Sequence, residues 1–82
     1  MKIVWDEPKR LTNLAKHGLD FSDLDPDFFL NARVTPSVEG RFVAIAELEA
    51  REMTVTVVFK PLGGEAIAVI SMRPASRKER SL

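Results

Sequence analysis

The fold is decided by the stretch Met53-Thr54-Val55-Thr56-Val57-Val58-Phe59-Lys60, whose side chains alternate with the two-residue period of a β-strand. The apolar face of this strand carries Met53, Val55, Val57 and Phe59. The opposite face carries Thr54, Thr56 and Val58. A strand with this pattern buries one face against a core and keeps the other for polar contacts.

The segments on either side of this strand are predicted to be strands as well. Apolar runs over 41–48 and 65–72 flank it, and a short turn separates each run from it. Three runs joined by tight turns predict an antiparallel meander. Shorter strands are expected at 2–5 and at 33–35.

The first helix is predicted between an N-cap at Asp6 and a C-cap at Gly18, with Pro8 in its first turn. Its side chains separate into two groups. Leu11, Leu14 and Ala15 share one side, and Lys9, Asn13, Lys16 and His17 share the opposite side. Because the apolar face of a helix usually packs on the core, the first group is expected inside and the second is expected to face solvent or a ligand.

Two further helices complete the prediction. One covers 21–30, with Ser22 or Asp25 as its N-cap, and the other begins at a capping box formed by Ser76 and Glu79. The order of elements predicts a single α+β domain over residues 1–82. In this fold a short N-terminal strand and two helices pack on one face of an antiparallel meander, and a short C-terminal helix follows.

Composition argues against several classes of site and protein. The chain has 82 residues with no cysteine and one histidine, so a disulfide framework, a thiolate nucleophile and a structural zinc site are not expected. Its 12 basic and 12 acidic side chains cancel, which argues against a general nucleic-acid coat protein. No apolar run approaches the roughly 18 residues that a membrane span requires. A cytoplasmic protein without metal or cofactor is therefore expected.

The cations of the chain concentrate near its C-terminal end. Arg73, Arg77, Lys78 and Arg80 fall within a segment that contains one acid, Glu79. Guanidinium groups at the end of a strand and the start of a helix suit a phosphate ligand, because they combine permanent charge with a fork of hydrogen-bond donors.

RNA cleavage is the chemistry that these residues fit best. A ribonuclease that uses no metal must activate the ribose 2′-hydroxyl, protonate the leaving 5′-oxygen and neutralise the phosphorane between them. His17 is the candidate acid or base, and Arg73, Arg77 and Arg80 are the candidates for neutralising charge. Glu79 acts either as a base or as a residue that holds an arginine in place. His17 precedes a helix-ending glycine, so its alternative role is that of a C-cap partner.

Two motifs near the ends of the chain are similar to those of one toxin family. The first is Trp5-Asp6-Glu7-Pro8-Lys9, followed by Asn13 and then by Lys16-His17-Gly18-Leu19-Asp20-Phe21. The second is Ile70-Ser71-Met72-Arg73-Pro74-Ala75-Ser76-Arg77-Lys78-Glu79-Arg80. Together they resemble the N-terminal and C-terminal signatures of the BrnT toxins, and the strands between them agree in order.

The resemblance implies a RelE-like fold and a metal-independent endoribonuclease toxin that inhibits growth by cleaving RNA. It also implies a BrnA-type antitoxin as a partner, which neutralises the toxin and carries the DNA-binding part of the complex. An alternative is a toxin-like module that binds antitoxin or nucleic acid without cutting. The antitoxin is expected either on the basic face, through an acidic segment, or on the second helix around Phe28 and Phe29.

The resemblance also bears on the polar residues. By motif position, the family's recurrent polar residues match Lys16, His17, Arg73, Glu79 and Arg80, and Arg41 fits the same pattern. The predicted catalytic set is His17, Arg73, Arg77, Glu79 and Arg80. The predicted RNA-binding set is Lys9, Lys16, Arg41, Lys60 and Lys78, whose phosphate contacts should make activity sensitive to salt.

Overall fold

The computed structural model describes residues 1–81 and contains five strands and three α-helices in that part of the chain. The elements in chain order are β1 (Lys2–Trp5), α1 (Glu7–His17), a 3₁₀ turn (Phe21–Asp23), α2 (Pro26–Asn31), β2 (Arg33–Pro36), β3 (Phe42–Leu48), a second 3₁₀ turn (Glu49–Arg51), β4 (Met53–Leu62), β5 (Ala66–Pro74) and α3 (Arg77–Arg80). The predicted α+β class is confirmed.

The strands form one mixed sheet in the order β1-β5-β4-β3-β2. Strands β2 to β5 make the predicted antiparallel meander. Strand β1 was not assigned a partner from the sequence, and it pairs in parallel with β5, from Lys2 opposite Ala66 to Trp5 opposite Val69. The first strand therefore pairs with the side of β5 that the meander leaves free, and β1 itself becomes an edge strand of the sheet.

The core lies on one face of this sheet, beneath α2 and the segment that follows α1. Its buried apolar residues are Leu19, Phe21, Leu24, Phe28, Phe29, Ala44, Leu48, Val55, Val57, Phe59, Val69 and Met72. The ring of Phe29 meets Phe59 edge-on with 5.3 Å between centroids, and Phe42 stacks on the same ring at 5.9 Å. The alternation predicted for β4 is thus confirmed, because Val55 and Val57 are completely buried.

The predicted packing of α1 is wrong for its leucines, for Ala15 and for Asn13. Leu11 and Leu14 are 52% and 36% exposed, and Ala15 is exposed, whereas Asn13 is only 7% exposed. The reason lies in the sheet: β1 ends opposite Val69, so β5 has no strand partner on that side beyond this point. The side chain of Asn13 fills that position and accepts the backbone N–H of Met72 at 3.0 Å. A buried N–H requires an acceptor, so a polar residue of α1 faces the sheet.

The segment after α1 is not the single helix that was predicted over 21–30. The 3₁₀ turn and α2 are separated at Leu24 and Asp25, where the backbone is extended. Asp25 is the N-cap of α2, as one of the two alternatives proposed, and its carboxylate accepts the N–H of Phe28 at 2.9 Å. Phe28 and Phe29 are buried as expected.

The short C-terminal helix α3 lies on the face of the sheet opposite to the core. The side chain of Glu79 in α3 contacts Thr56, which alternates with the core residues Val55 and Val57 and so projects from the opposite face. The capping box that was predicted for α3 is present, with Ser76 and Glu79 each accepting the backbone N–H of the other. Helix α3 therefore covers part of the sheet face that the core does not use.

In residues 1–81 no helix is both long enough and apolar enough to cross a membrane.

Candidate nucleic-acid interface

A groove of about 370 Å³ runs between α1 and β5. Its polar lining consists of Lys9, Thr12, Asn13, Lys16, His17 and Ser71. Three residues from the two predicted site sets, Lys9, Lys16 and His17, therefore lie together on one wall. The groove opens to solvent on the sheet face that also carries α3, because Ser71 is paired with Val58 and alternates with the core residue Met72.

The wall of the groove is fixed by local contacts at α1. Asn13 joins the helix to β5 through Met72, and its amide nitrogen donates to the carbonyl oxygen of Leu19 at 3.1 Å. Gly18 ends the helix in the left-handed conformation, with φ of 69°, directly after His17. The guanidinium of Arg51 then donates to the Gly18 carbonyl at 3.0 Å. The end of α1 that carries His17 is therefore fixed by the contacts of Asn13 and by the Arg51 contact to Gly18.

The basic cluster at the end of β5 is organised around Glu79. Arg73 donates to both carboxylate oxygens of Glu79, at 2.7 and 2.9 Å. The Glu79 oxygen Oε1 also accepts the hydroxyl of Thr56 at 3.0 Å and the backbone N–H of Ser76 at 2.8 Å. The bidentate Arg73 contact, followed by the Ser76 and Thr56 hydrogen bonds, lowers the pKa of Glu79 to about 2. The same contact raises the pKa of Arg73.

One row of residues across the sheet supports this cluster. Arg33, Ile45, Thr56 and Arg73 are successive partners across β2, β3, β4 and β5. Three of the four reach Glu79, since Arg33 donates to its backbone oxygen at 3.2 Å. The sequence indicated Arg73 and Glu79 but not Thr56 or Arg33, because the signal for these two is their register, which is set by long-range pairing.

The groove and the Glu79 cluster occupy neighbouring stretches of β5. Ser71 and Arg73 are two residues apart in this strand, so their side chains leave the same face. Arg51 ties the end of α1 to the start of the β4 hairpin, and Ala75 donates its backbone N–H to Thr54 in that hairpin at 3.0 Å. The end of α1 and the end of β5 therefore lie at the same end of the sheet.

The remaining cations of the predicted sets lie outside the groove. Arg77, Lys78 and Arg80 are exposed on the single turn of α3. Lys60 lies four residues after Thr56 in β4. Its side chain reaches Gly40 in the β2–β3 connection, and Arg41 follows Gly40 in the chain. Four residues of strand span about 13 Å, so Lys60 lies well away from the Glu79 cluster, toward the other end of β4.

The acidic side chains collect elsewhere. A second cavity, of about 500 Å³, is lined by Asp23, Asp25, Asp27, Glu47 and Glu49 together with apolar residues of α2 and β3. Within residues 1–81, no three histidine, cysteine, aspartate or glutamate side chains are placed to hold one metal ion. The neutral chain thus has one cationic and one anionic region.

Comparisons with known proteins agree with the sequence resemblance. The family model described as "Ribonuclease toxin, BrnT, of type II toxin-antitoxin system" matches residues 5–79. The crystal structure of the Brucella abortus ribonuclease toxin BrnT superposes with a TM-score of 0.87 at 57% sequence identity, over 94% of this chain and 99% of that chain. No curated protein matches. The chain belongs to the BrnT family of ribonuclease toxins from type II toxin–antitoxin systems.

Proposed function

We propose that this chain is an active endoribonuclease toxin that binds RNA along the groove between α1 and β5 and cleaves it without a metal ion. The observation that carries the proposal is the grouping of Lys9, Lys16 and His17 on one groove wall, with Arg73 on β5, the strand that forms the other wall. Fixed cations beside an imidazole supply the charge and the proton transfer that phosphodiester cleavage needs.

The cleavage step follows from these groups. The ribose 2′-hydroxyl loses its proton as its oxygen attacks the adjacent phosphorus, the bond from phosphorus to the 5′-oxygen breaks, and the 5′-oxygen gains a proton, which leaves a 2′,3′-cyclic phosphate and a 5′-hydroxyl end. His17 is assigned to proton transfer, because the groove wall exposes it beside Lys16. Arg73 is assigned to the phosphorane, whose negative charge it neutralises.

Glu79 is assigned the second of its two candidate roles, holding Arg73 in place. A carboxylate whose pKa is about 2 is a weak base near neutral pH. Its two oxygens are already engaged by Arg73, Thr56 and the backbone of Ser76. This geometry suits a residue that orients a guanidinium.

The remaining cations extend the RNA path. Arg77 and Arg80 share one side of α3, since they are three residues apart in a helix. Lys78, Arg41 and Lys60 are exposed or half-exposed cations on either side of the groove and are assigned to phosphates outside the cleaved bond. The anionic cavity at α2 would repel RNA and so favours the cationic face.

The partner of this surface is proposed to be a BrnA-like antitoxin. Phe28 and Phe29 are core residues, which leaves little of their rings for a partner. The basic groove is therefore the better of the two predicted antitoxin surfaces, and an acidic antitoxin segment would compete there with RNA. DNA is then contacted only through the antitoxin, and the complex acts in the cytoplasm.

The test is cleavage of a defined single-stranded RNA by the purified chain in the presence of EDTA. We expect fragments ending in 2′,3′-cyclic phosphate, and we expect no cleavage when the ribose at the cut site is replaced by 2′-deoxyribose. The His17→Gln variant should lose most of this activity while keeping its melting temperature. An intact chain that binds the RNA but leaves it uncut would establish the alternative, a binding module without catalysis.

A further inference from the structure

We propose that Thr56 is a positioning residue of the candidate site, whose hydroxyl fixes the carboxylate of Glu79 and, through it, the guanidinium of Arg73. The inference rests on the proposed function for its catalytic consequence. The structural claim, that Thr56 fixes Glu79 and thereby Arg73, depends only on the hydrogen bonds among these three residues.

Thr56 differs from its neighbours by a single group. It lies in the run Val55-Thr56-Val57-Val58, in the middle of β4, and is completely buried. Threonine and valine have nearly the same shape, so packing alone would be met by another valine at this position. The hydroxyl is what threonine adds, and it is donated to Oε1 of Glu79 at 3.0 Å.

This bond determines how Glu79 presents itself to Arg73. Oε1 receives Thr56, the backbone N–H of Ser76 and one nitrogen of Arg73, while Oε2 receives the other nitrogen of Arg73. The carboxylate is therefore held against the sheet through one oxygen and turned so that both oxygens face the fork of Arg73. Without the hydroxyl, the remaining contacts of this carboxylate come from the flexible Arg73 side chain and the one-turn helix α3.

Thr56 is held by neighbouring strands on both sides, whereas α3 is a single exposed turn. Thr56 sits between Ile45 and Arg73 in a row of paired strands, whereas α3 spans four residues and buries none of them. A rigid donor below a short helix is suited to set the angle of a catalytic guanidinium, because small displacements of such a group reduce the rate steeply.

The test compares Thr56→Val with Thr56→Ser and uses Thr54→Val as the matched control. Thr54 lies on the same strand and the same face, two residues earlier, opposite Glu47. We expect Thr56→Val to lower kcat for RNA cleavage by about two- to tenfold, the effect of one hydrogen bond, with little change in KM. Thr56→Ser, which keeps the hydroxyl, should restore most of kcat, and Thr54→Val should behave as the wild type.

A second readout needs no RNA. In ¹⁵N-labelled protein, the Nη proton signals of Arg73 should be resolved in the wild type and in Thr56→Ser, and they should broaden or merge in Thr56→Val as guanidinium rotation becomes faster. Unchanged Arg73 signals in Thr56→Val, or equal loss of kcat in the valine and serine variants, would overturn the proposal. A wild-type chain that cleaves no RNA would refute the proposed function, and the Arg73 signals would still decide the role of Thr56.

Discussion

The side-chain oxygen of Asn13 lies 3.0 Å from the backbone nitrogen of Met72, at the point where β1 no longer accompanies β5. The side chain of Asn13 thus supplies the hydrogen-bond acceptor that a strand beside β5 would otherwise supply to Met72. The same amide donates to Leu19, which links α1, β5 and the buried segment after α1 through one residue. The groove of the candidate site depends on this junction because its two walls belong to α1 and β5.

Replacing Asn13 by alanine should destabilise the protein more than the loss of its small buried volume implies. The change leaves the N–H of Met72 and the carbonyl of Leu19 without their partner, and each buried unsatisfied group costs about 1–3 kcal/mol. We expect the free energy of unfolding in urea to fall by about 2–6 kcal/mol. Asn31→Ala is the control, since Asn31 is exposed and bonds only to its own helix. A loss for Asn13→Ala no larger than that of the control would contradict the junction.

Because the apolar side of α1 is exposed, Leu11→Ala and Leu19→Ala should have very different effects on the free energy of unfolding. Leu11→Ala should change the free energy of unfolding by less than about 0.5 kcal/mol, as expected for a surface substitution, because Leu11 is half exposed. Leu19→Ala should cost about 2–5 kcal/mol, because Leu19 is fully buried. Urea denaturation of both variants measures the contrast. A large loss for Leu11 would mean that the apolar side of α1 packs inward after all.

The alternation of β4 and the capping box of α3 could be predicted from the sequence because both are local patterns, within ten residues of chain. The orientation of α1 could not, since the leucines give it an apolar side and the decisive feature is an unpaired N–H at Met72. The Met72 N–H has no strand partner because β1 pairs in parallel with β5 and ends opposite Val69. Lys9, Lys16 and His17 were indicated by their spacing on α1, whereas Thr56 was not, because its partner lies 23 residues away.

Removing the guanidinium of Arg73 should abolish RNA cleavage. Arg73→Ala removes the proposed phosphorane contact, and losing one such donor typically costs about 10²- to 10³-fold in kcat. Arg73→Lys should remain strongly impaired, since it keeps the charge but loses the fork that pairs with Glu79. Cleavage rates with melting curves separate chemistry from folding, and Lys2→Ala serves as the control, because Lys2 is an exposed cation outside the groove lining. Wild-type rates in Arg73→Ala would end its catalytic assignment.

The stabilisation contributed by the Glu79 carboxylate should depend on pH. Because folding lowers its pKa from 4.5 to about 2, the carboxylate stabilises the native state above pH 4.5, and this contribution disappears as the pH falls toward 2. Glutamine also suits a capping box, so Glu79→Gln removes mainly the charge. The difference in Tm between wild type and Glu79→Gln should be full near pH 7 and nearly absent at pH 2. The same comparison for the exposed Glu47→Gln should be small throughout, and a Glu79 difference independent of pH would contradict the ion pair.

The lysines of the groove should contribute to RNA affinity through phosphate contacts. Each of Lys9→Ala and Lys16→Ala should reduce the slope of log K against log salt concentration by about 0.7, the value for one contact with a single strand. Fluorescence anisotropy with a 2′-O-methylated, uncleavable RNA measures these slopes. Lys2→Ala, an exposed lysine on β1 outside the groove lining, should leave the slope unchanged. Equal slopes in all the variants would place the RNA elsewhere.

The parallel pairing of β1 with β5 has a consequence for how the toxin is made. Lys2 meets Ala66 and Asn13 meets Met72, so the beginning of the chain waits for partners that the ribosome synthesises more than fifty residues later. Contacts of such long sequence separation form late in folding. While translation of this segment is still under way, α1 and β5 do not yet exist together, so the groove between them is formed only after β5 has been synthesised.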